Sequence, residues 1–267
     1  MELAGRRALL TGATGGLGRA IAKALADEGA AVVLSARNAD ALESLAGELP
    51  GHGHKTVPAD LADPGAAEKL AAEAGEIDVL VANAGLPGAG WLTDFTPEQV
   101  QRALRVNLES PMLMARALFP DMVERGSGHL VFISSLAGKA ASPLSSIYNA
   151  TKFGLRGFAL GLRADLSPKG VGVSLVSPGF IREAGMFAES GASPPPGMGT
   201  STPQAVSSAV VRAIKRDKVE ITVAPLSQRA LAHLALANPA ISARAQSGRA
   251  GQKAAQAVAD GHPAEKR

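Results

Sequence analysis

Seven short apolar runs recur along the chain, at residues 7–10, 31–35, 55–59, 78–82, 129–134, 171–176 and 219–223, separated by longer stretches of helical patterning. The runs are continuous rather than alternating in polarity, as in Ala8-Leu9-Leu10, Val32-Val33-Leu34 and Val79-Leu80-Val81. A strand with one wet face alternates, whereas a strand covered on both faces does not. Strands that alternate with helices are joined by crossovers, and crossovers make neighbouring strands parallel. The pattern therefore predicts a single α/β domain, a doubly wound parallel sheet of seven strands flanked by helices. A chain of 267 residues that is 46% hydrophobic can bury one such core. The domain is expected to span residues 1–225, followed by an alanine-rich tail, 226–267, partly helical and disordered over its last fifteen or so residues.

The first run leads directly into Thr11-Gly12-Ala13-Thr14-Gly15-Gly16-Leu17-Gly18, and a helical stretch closed by Gly29 follows. A strand, a glycine-rich turn and a helix start in that order make a phosphate cradle. Glycines admit a pyrophosphate close to the backbone, and the free N–H groups of the helix start favour its charge.

Ser135 follows directly on the fifth run, and Tyr148, the only tyrosine, stands four residues before Lys152. At that spacing the two side chains share one face of a helix. A phenol loses its proton near pH ~10, and a neighbouring ammonium is expected to bring that value down toward the working range. Ser135 could hold a carbonyl or alcohol oxygen beside the phenol. The trio is equipment for moving a proton on or off a C–O group.

Further motifs fall in order along the chain: Asn83-Ala84-Gly85 after the fourth run, Asn107 in the next helix, and Pro178-Gly179 after the sixth. Taken together, these residues resemble the short-chain dehydrogenase/reductase family over roughly residues 3 to 225. The resemblance implies a Rossmann fold and an oxidoreductase that interconverts a carbonyl and an alcohol by hydride transfer. Ser135 would position the substrate oxygen, Tyr148 would act as general acid/base, and Lys152 would tune Tyr148 and hold the nicotinamide ribose. Asn107 would support a water that relays protons to Lys152. Pro111 lacks the N–H that would bond the Asn107 carbonyl, which supplies a physical reason for a water there.

The cofactor implied is NADP(H), with NAD(H) as second candidate. Where NAD-preferring members carry Asp, this chain has Ala36, and Arg37 follows with a guanidinium able to pair with a 2′-phosphate. Asp60, with Leu61 beside it, resembles the adenine-side residue, although Asp60 could equally cap a helix. The backbone of Ile181 could hold the nicotinamide carboxamide. Glu183 stands where a family hydroxyl is expected, a departure that leaves this anchor open.

Thr96-Pro97-Glu98-Gln99 is a capping box, so a helix starts there, with a kink expected at Pro111. From 145 to 166 the helical pattern has an apolar stripe (Leu155, Phe158, Leu162, Leu166) and a second, finer-grained face (Phe153, Gly157, Leu160, Gly161, Ala164). A helix apolar on most sides is covered on most sides, and a homo-oligomer, dimer or tetramer, would cover the second face. Residues 186–203 are rich in Gly, Pro and Ser and read as a mobile lid or a disordered loop. The expected substrate pocket, from residues 86–91, Ser142, Pro143, Leu144, Phe180, Met186 and Phe187, is largely apolar and suits a neutral ketone, aldehyde or alcohol.

The net charge of +3 comes without a dense basic block, which argues against nucleic acid. Cysteine is absent, which excludes disulfides and thiol catalysis. No apolar run reaches the ~18 residues of a membrane span, and the start of the chain lacks a leader's apolar stretch, so a cytoplasmic protein is expected. His52-x-His54 lacks a third ligand cluster, and no metal is expected. A catalytically silent sensor or scaffold, and an epimerase or dehydratase using bound cofactor transiently, are the rival readings.

Overall fold

A computed structural model of the chain describes residues 1–246 and 248–262. The first half-sheet is built from β1 (Arg7–Thr11), α1 (Gly16–Asp27), β2 (Ala31–Ser35), α2 (Ala39–Glu48), β3 (Lys55–Thr56) and α3 (Ala66–Ala74). The second begins with β4 (Val79–Ala82), α4 (Pro97–Leu104), a π-helical turn (Arg105–Glu109), α5 (Ser110–Glu124) and β5 (Gly128–Ile133). It continues with α6 (Ser146–Leu166), β6 (Val171–Pro178), α7 (Met186–Glu189), α8 (Pro203–Arg216) and β7 (Glu220–Val223). Three helices close the described chain: α9 (Leu226–Ala237), α10 (Pro239–Gln246) and α11 (Arg249–Asp260).

The strands form one seven-stranded sheet in the order β3-β2-β1-β4-β5-β6-β7, and every pairing is parallel. From β1 the chain first winds outward to β3, then returns to wind the other way from β4. The strand order thus reverses between β1 and β4, where a doubly wound sheet opens a crevice at the strand C-termini. Two cores explain the continuous apolar runs. On one face Ile21 and Leu25 of α1 pack with Val206, Val210 and Ile214 of α8. On the other, Leu70 of α3, Met114 of α5 and Leu155 of α6 pack beneath Leu80 and Phe132. Each such side chain taken fully out of water contributes about 1.5–3 kcal/mol.

Three expectations are corrected. The third strand was expected over 55–59 but ladders only at Lys55–Thr56. Pro58 has no N–H to donate, a break that an edge strand tolerates, and single bonds from Val57 N–H to Leu34 O and from Ala59 N–H to Ala36 O carry the pairing on. At the place where a kink was expected, a π turn at Arg105–Glu109 precedes Pro111, and the backbone stays helical through Glu109 and Ser110, so the helix runs on through the proline. The capping box itself is present, with Gln99 N–H donating to Thr96 Oγ1 and Thr96 N–H to Gln99 Oε1. The described part of the tail is helical almost to its end: α11 runs to Asp260, and Ala259 and His262 are buried. Alanine is the best helix former, so the same composition that reads as low complexity also favours a helix once a surface is there to pack on. Residues 263–267 lie outside the described residues.

His54 serves the fold: Val32 N–H donates to its Nδ1 at 3.1 Å and its Nε2 meets Pro50 O at 3.0 Å. Among the described residues there is no cluster of three potential metal ligands, and no helix is long and apolar enough to cross a membrane.

Candidate active site

A crevice of about 1400 Å³ opens at the switch point. The glycine-rich turn lines one end, with Thr11, Gly12, Thr14, Gly15, Gly16, Leu17 and Gly18 all facing it. Two of these positions admit nothing but glycine. A Cβ on Gly18 would lie 2.0 Å from Gly12 O, and one on Gly16 would lie 2.3 Å from the Ala184 Cβ. Gly12 takes φ +65° and packs against Ala84. The turn is tied to the next strand end: Thr11 Oγ1 accepts the N–H groups of Asn83 and Ala84, both at 3.1 Å, while Asn83 Nδ2 donates to the carbonyls of Thr11 and Gly12. Gly85, Arg37, Asp60 and Leu61 also line the crevice. Asp60 does not cap a helix, since Gly65 is the N-cap of α3; it accepts Ala62 N–H at 2.9 Å within a turn while facing the cavity.

The catalytic candidates converge at the other end. Ser135 sits where β5 ends and a 3-10 turn (Leu136–Gly138) begins, its Oγ accepting Ala137 N–H at 3.1 Å. Tyr148 and Lys152 project from the first turns of α6, with the Lys152 Nζ 5.6 Å from the centre of the tyrosine ring. Lys152 is 4% exposed, and its Nζ donates to Ile133 O at 3.0 Å. Close packing of the 3-10 turn on α6 requires Gly138, where a Cβ would lie 2.7 Å from Lys152 O. Lys139 fastens the same turn to β7 through Thr222 Oγ1 and Glu220, and Glu220 also pairs with Arg156, one turn beyond Lys152.

Burial governs both titrating groups. It pushes the Lys152 ammonium down to about 8. It raises Tyr148 above the ordinary phenol value, while the hydrogen bond with Ser135 pulls the other way. The direction for Tyr148 is opposite to the sequence expectation, because desolvation of the buried ring outweighs the Ser135 hydrogen bond.

Asn107 stands behind the wall rather than in the crevice. It is 1% exposed, and its side chain accepts Leu86 N–H and donates to Leu86 O. Gly85 lies between it and the lysine: a Cβ there would be 3.3 Å from Asn107 Oδ1 and 3.9 Å from Lys152 Nζ. Pro178, Gly179 and Ile181 line the crevice beside Ser135. Glu183 does not face it. With φ +73° its carboxylate turns out to solvent and pairs with Arg182 at 2.8 Å.

Most of the expected substrate pocket is in place, from Leu86 to Ala89 and with Ser142, Pro143, Phe180, Met186 and Phe187. Trp91 is instead 63% exposed, and Leu144 adopts φ +53° with its carbonyl accepting Gly90 N–H. Asn149 opens Asn149-Ala150-Thr151, which matches a glycosylation sequon, but it is 7% exposed and donates to Ser142 O, which leaves no room for a sugar. Sequence reasoning missed Arg102 and Val106, and it missed the residues supplied by the tail: Gln228, Leu231, Ala232, Ala255, Val258 and His262. The i, i+3, i+4 spacing of Gln228, Leu231 and Ala232 marks a helix face, but nothing local says what that face covers.

A parallel sheet with a glycine cradle at its switch point and a Ser, Tyr and Lys at the facing strand and helix ends defines a nucleotide-dependent oxidoreductase architecture. Residues 6–194 match the short chain dehydrogenase family model, and the chain belongs to that family. It is similar to the ketoacyl reductase HetN of a Nostoc species, 38% identical over 227 residues, which is 83% of this chain and 79% of that protein. It is 41% identical over 185 residues to the dehydrogenase/reductase SDR family member 7B of Bos taurus, 65% of this chain and 57% of that longer protein. Among solved structures, a metagenomic short-chain oxidoreductase in complex with NADP superposes with a TM-score of 0.70 at 33% identity, covering 84% of this chain and 99% of its own.

Proposed function

We propose that the protein is an NADP(H)-dependent oxidoreductase that interconverts an apolar ketone or aldehyde with its alcohol. The observation that carries this reading is the meeting of Ser135, Tyr148 and Lys152 in one crevice that is continuous with the glycine-rich turn. That turn fits a dinucleotide, because Gly12, Gly16 and Gly18 leave a cradle that any Cβ would fill. Thr14 to Gly18 would hold the pyrophosphate, Arg37 the 2′-phosphate, Asp60 and Leu61 the adenine, Asn83 to Gly85 and Lys152 the sugar side, and Pro178 to Ile181 the nicotinamide. The cofactor, when bound, supplies a hydride to the carbonyl carbon.

The residues of this chain do the rest. Ser135 Oγ donates to the carbonyl oxygen and fixes its place. As the C=O π electrons move onto that oxygen, Tyr148 Oη delivers its proton, and the product is an alcohol. A raised phenol pKa keeps Tyr148 loaded with that proton at neutral pH, which suits the reducing direction. The Lys152 ammonium stabilises the phenolate left behind and returns a proton to it. The side chains around the reacting end, among them Leu86, Pro87, Phe180, Met186 and Phe187, are apolar and favour a neutral substrate.

The test is NADPH consumption against a panel of ketones, aldehydes and 3-oxoacyl thioesters, with Tyr148→Phe beside wild type. Turnover by wild type and a loss of about 10²–10⁴ in the variant is the expected result. A Tyr148→Phe enzyme with near-normal turnover would end the reading, and stoichiometric product without cofactor consumption would point to an epimerase or dehydratase.

We further propose a homo-oligomer. Phe153 is 40% exposed on α6, and the face it shares with Gly157, Gly161 and Ala164 is uncovered, as are Met112 of α5 and Leu104 of α4. A monomer in sedimentation equilibrium would overturn it.

A further inference from the structure

We infer that the C-terminal helices α9 and α11 are a fixed wall of the substrate chamber and set the size of the carbonyl compound it admits; this rests on the proposed reaction and names a determinant of its specificity. Two buried polar side chains bolt the wall in place. Gln228 of α9 is 5% exposed. Its Nε2 donates to Met198 O and Gly199 O, both at 2.9 Å, and its Oε1 accepts Phe180 N–H at 3.2 Å. It thereby joins the segment after β6 to the returning end of the lid loop. The fit is close enough that a Cβ on Gly179 would lie 2.1 Å from Gln228 Oε1.

His262, just beyond α11, is 3% exposed, and its Nε2 lies 3.0 Å from Met186 O at the start of α7. A carbonyl only accepts, so Nε2 is the protonated nitrogen. One residue earlier, a Cβ on Gly261 would lie 2.0 Å from Ser190 O, so the end of α11 rests on the backbone that follows α7. The lid is therefore fastened from two sides by residues outside the sheet-forming domain.

Between these bolts the wall turns small apolar groups into the crevice: Leu231 and Ala232 from α9, Ala255 and Val258 from α11. They line the same cavity as Phe180 and Phe187, whose rings are 4.5 Å apart. A wall of this make cannot recognise charge, but it excludes by volume. In an apolar pocket a single methylene changes turnover by roughly 10–200-fold. The metagenomic relative is matched over 99% of its length by 84% of this chain, so the shared fold is complete without all of this chain's residues.

The experiment pairs two readouts on the full-length protein. The first is kcat/KM for a series of methyl ketones of rising chain length, in wild type, Val258→Trp and the milder Ala255→Leu. The ratio of longest to shortest ketone is expected to fall by about tenfold or more in Val258→Trp, and less in Ala255→Leu. A ratio that neither variant moves overturns the inference. The second is amide hydrogen exchange over residues 186–190 in His262→Ala, with NADPH bound, where faster exchange is expected and unchanged exchange overturns the wall. If wild type binds NADPH but reduces no ketone, the proposed reaction fails instead, and the exchange result still decides the wall.

Discussion

Asn107 holds both backbone groups of Leu86, accepting its N–H at 2.7 Å and donating to its carbonyl at 2.9 Å. Leu86 follows Gly85, the residue that lies against Lys152, so this clasp sets the crevice floor under the lysine. Asn107 Nδ2 also reaches Thr151 Oγ1 of α6 at 3.4 Å, and Thr151 donates to Tyr148 O. Removing the side chain would leave Leu86 unpaired against a buried wall, a cost of about 1–3 kcal/mol. Asn107→Ala is expected to lower both Tm and kcat. Asn107→Asp, which keeps the acceptor and loses the donor, should fall between. A thermal melt of Asn107→Ala that coincides with wild type would show that the clasp contributes nothing.

Arg37 is exposed at the edge of the crevice, one residue before Asn38, which caps α2 by accepting Ala41 N–H at 2.9 Å. The cap fixes where the guanidinium starts but not where it points, which leaves it free to meet a phosphate. A charge-assisted bond to a 2′-phosphate contributes about 1.5–3 kcal/mol. Arg37→Ala is therefore expected to lower the NADPH-to-NADH ratio of kcat/KM by about 10- to 150-fold. The kinetics of the two cofactors measure this directly, and an unchanged ratio would remove Arg37 from the assignment.

The sheet was legible because its strands are apolar on both faces, and that leaves a short continuous apolar run at each strand. Ser135, Tyr148, Lys152 and the glycine turn were legible because each is a local motif whose spacing maps onto one strand end or one helix turn. The direction of the Tyr148 shift was not, since it depends on how much protein packs around the ring, which no local spacing reports. Nor was Glu183 legible as a solvent-facing residue, because the sign of its φ belongs to the loop as a whole. Gln228 and His262 were illegible for the same reason: Gln228 stands among other polar residues of α9 and His262 lies just past α11, and their partners are 29 or more residues upstream.

His129 is buried on β5, where its Nε2 meets Ser174 Oγ at 2.8 Å; Ser174 in turn donates to Lys218 O. Burial pushes its pKa down to about 4, against the pull of Asp217. The unfolded chain protonates this imidazole near pH ~6.5, and the fold refuses the proton until about 4. Between those values the unfolded state binds more protons, so this contribution is fully present above pH ~6.5 and is lost as the pH falls toward 4. The loss amounts to about 3 kcal/mol at most. Urea midpoints of wild type are expected to drop over that window, and His129→Gln should flatten part of the drop. Parallel curves for the two proteins would mean that other groups carry the acid sensitivity.

Lys152 is held as a buried ammonium, 4% exposed, with its pKa pushed down to about 8 by burial. An unfolded lysine keeps its proton to about pH 10.4, so between the two values the unfolded state binds the extra proton and stability rises with pH. Below pH 8 the charged form costs the fold free energy that a neutral side chain of similar length would not. Lys152→Met keeps the stem and discards the charge, leaving Ile133 O without this donor. At neutral pH the variant is expected to melt at or above the wild-type Tm, with the gap closing as the pH passes 8, while carbonyl reduction is lost. Such a split, stability kept or gained as activity disappears, is the mark of a charge retained for chemistry rather than for folding. A Tm several degrees below wild type at neutral pH would instead make Lys152 a structural residue, and the role given to it beside Tyr148 would have to be withdrawn.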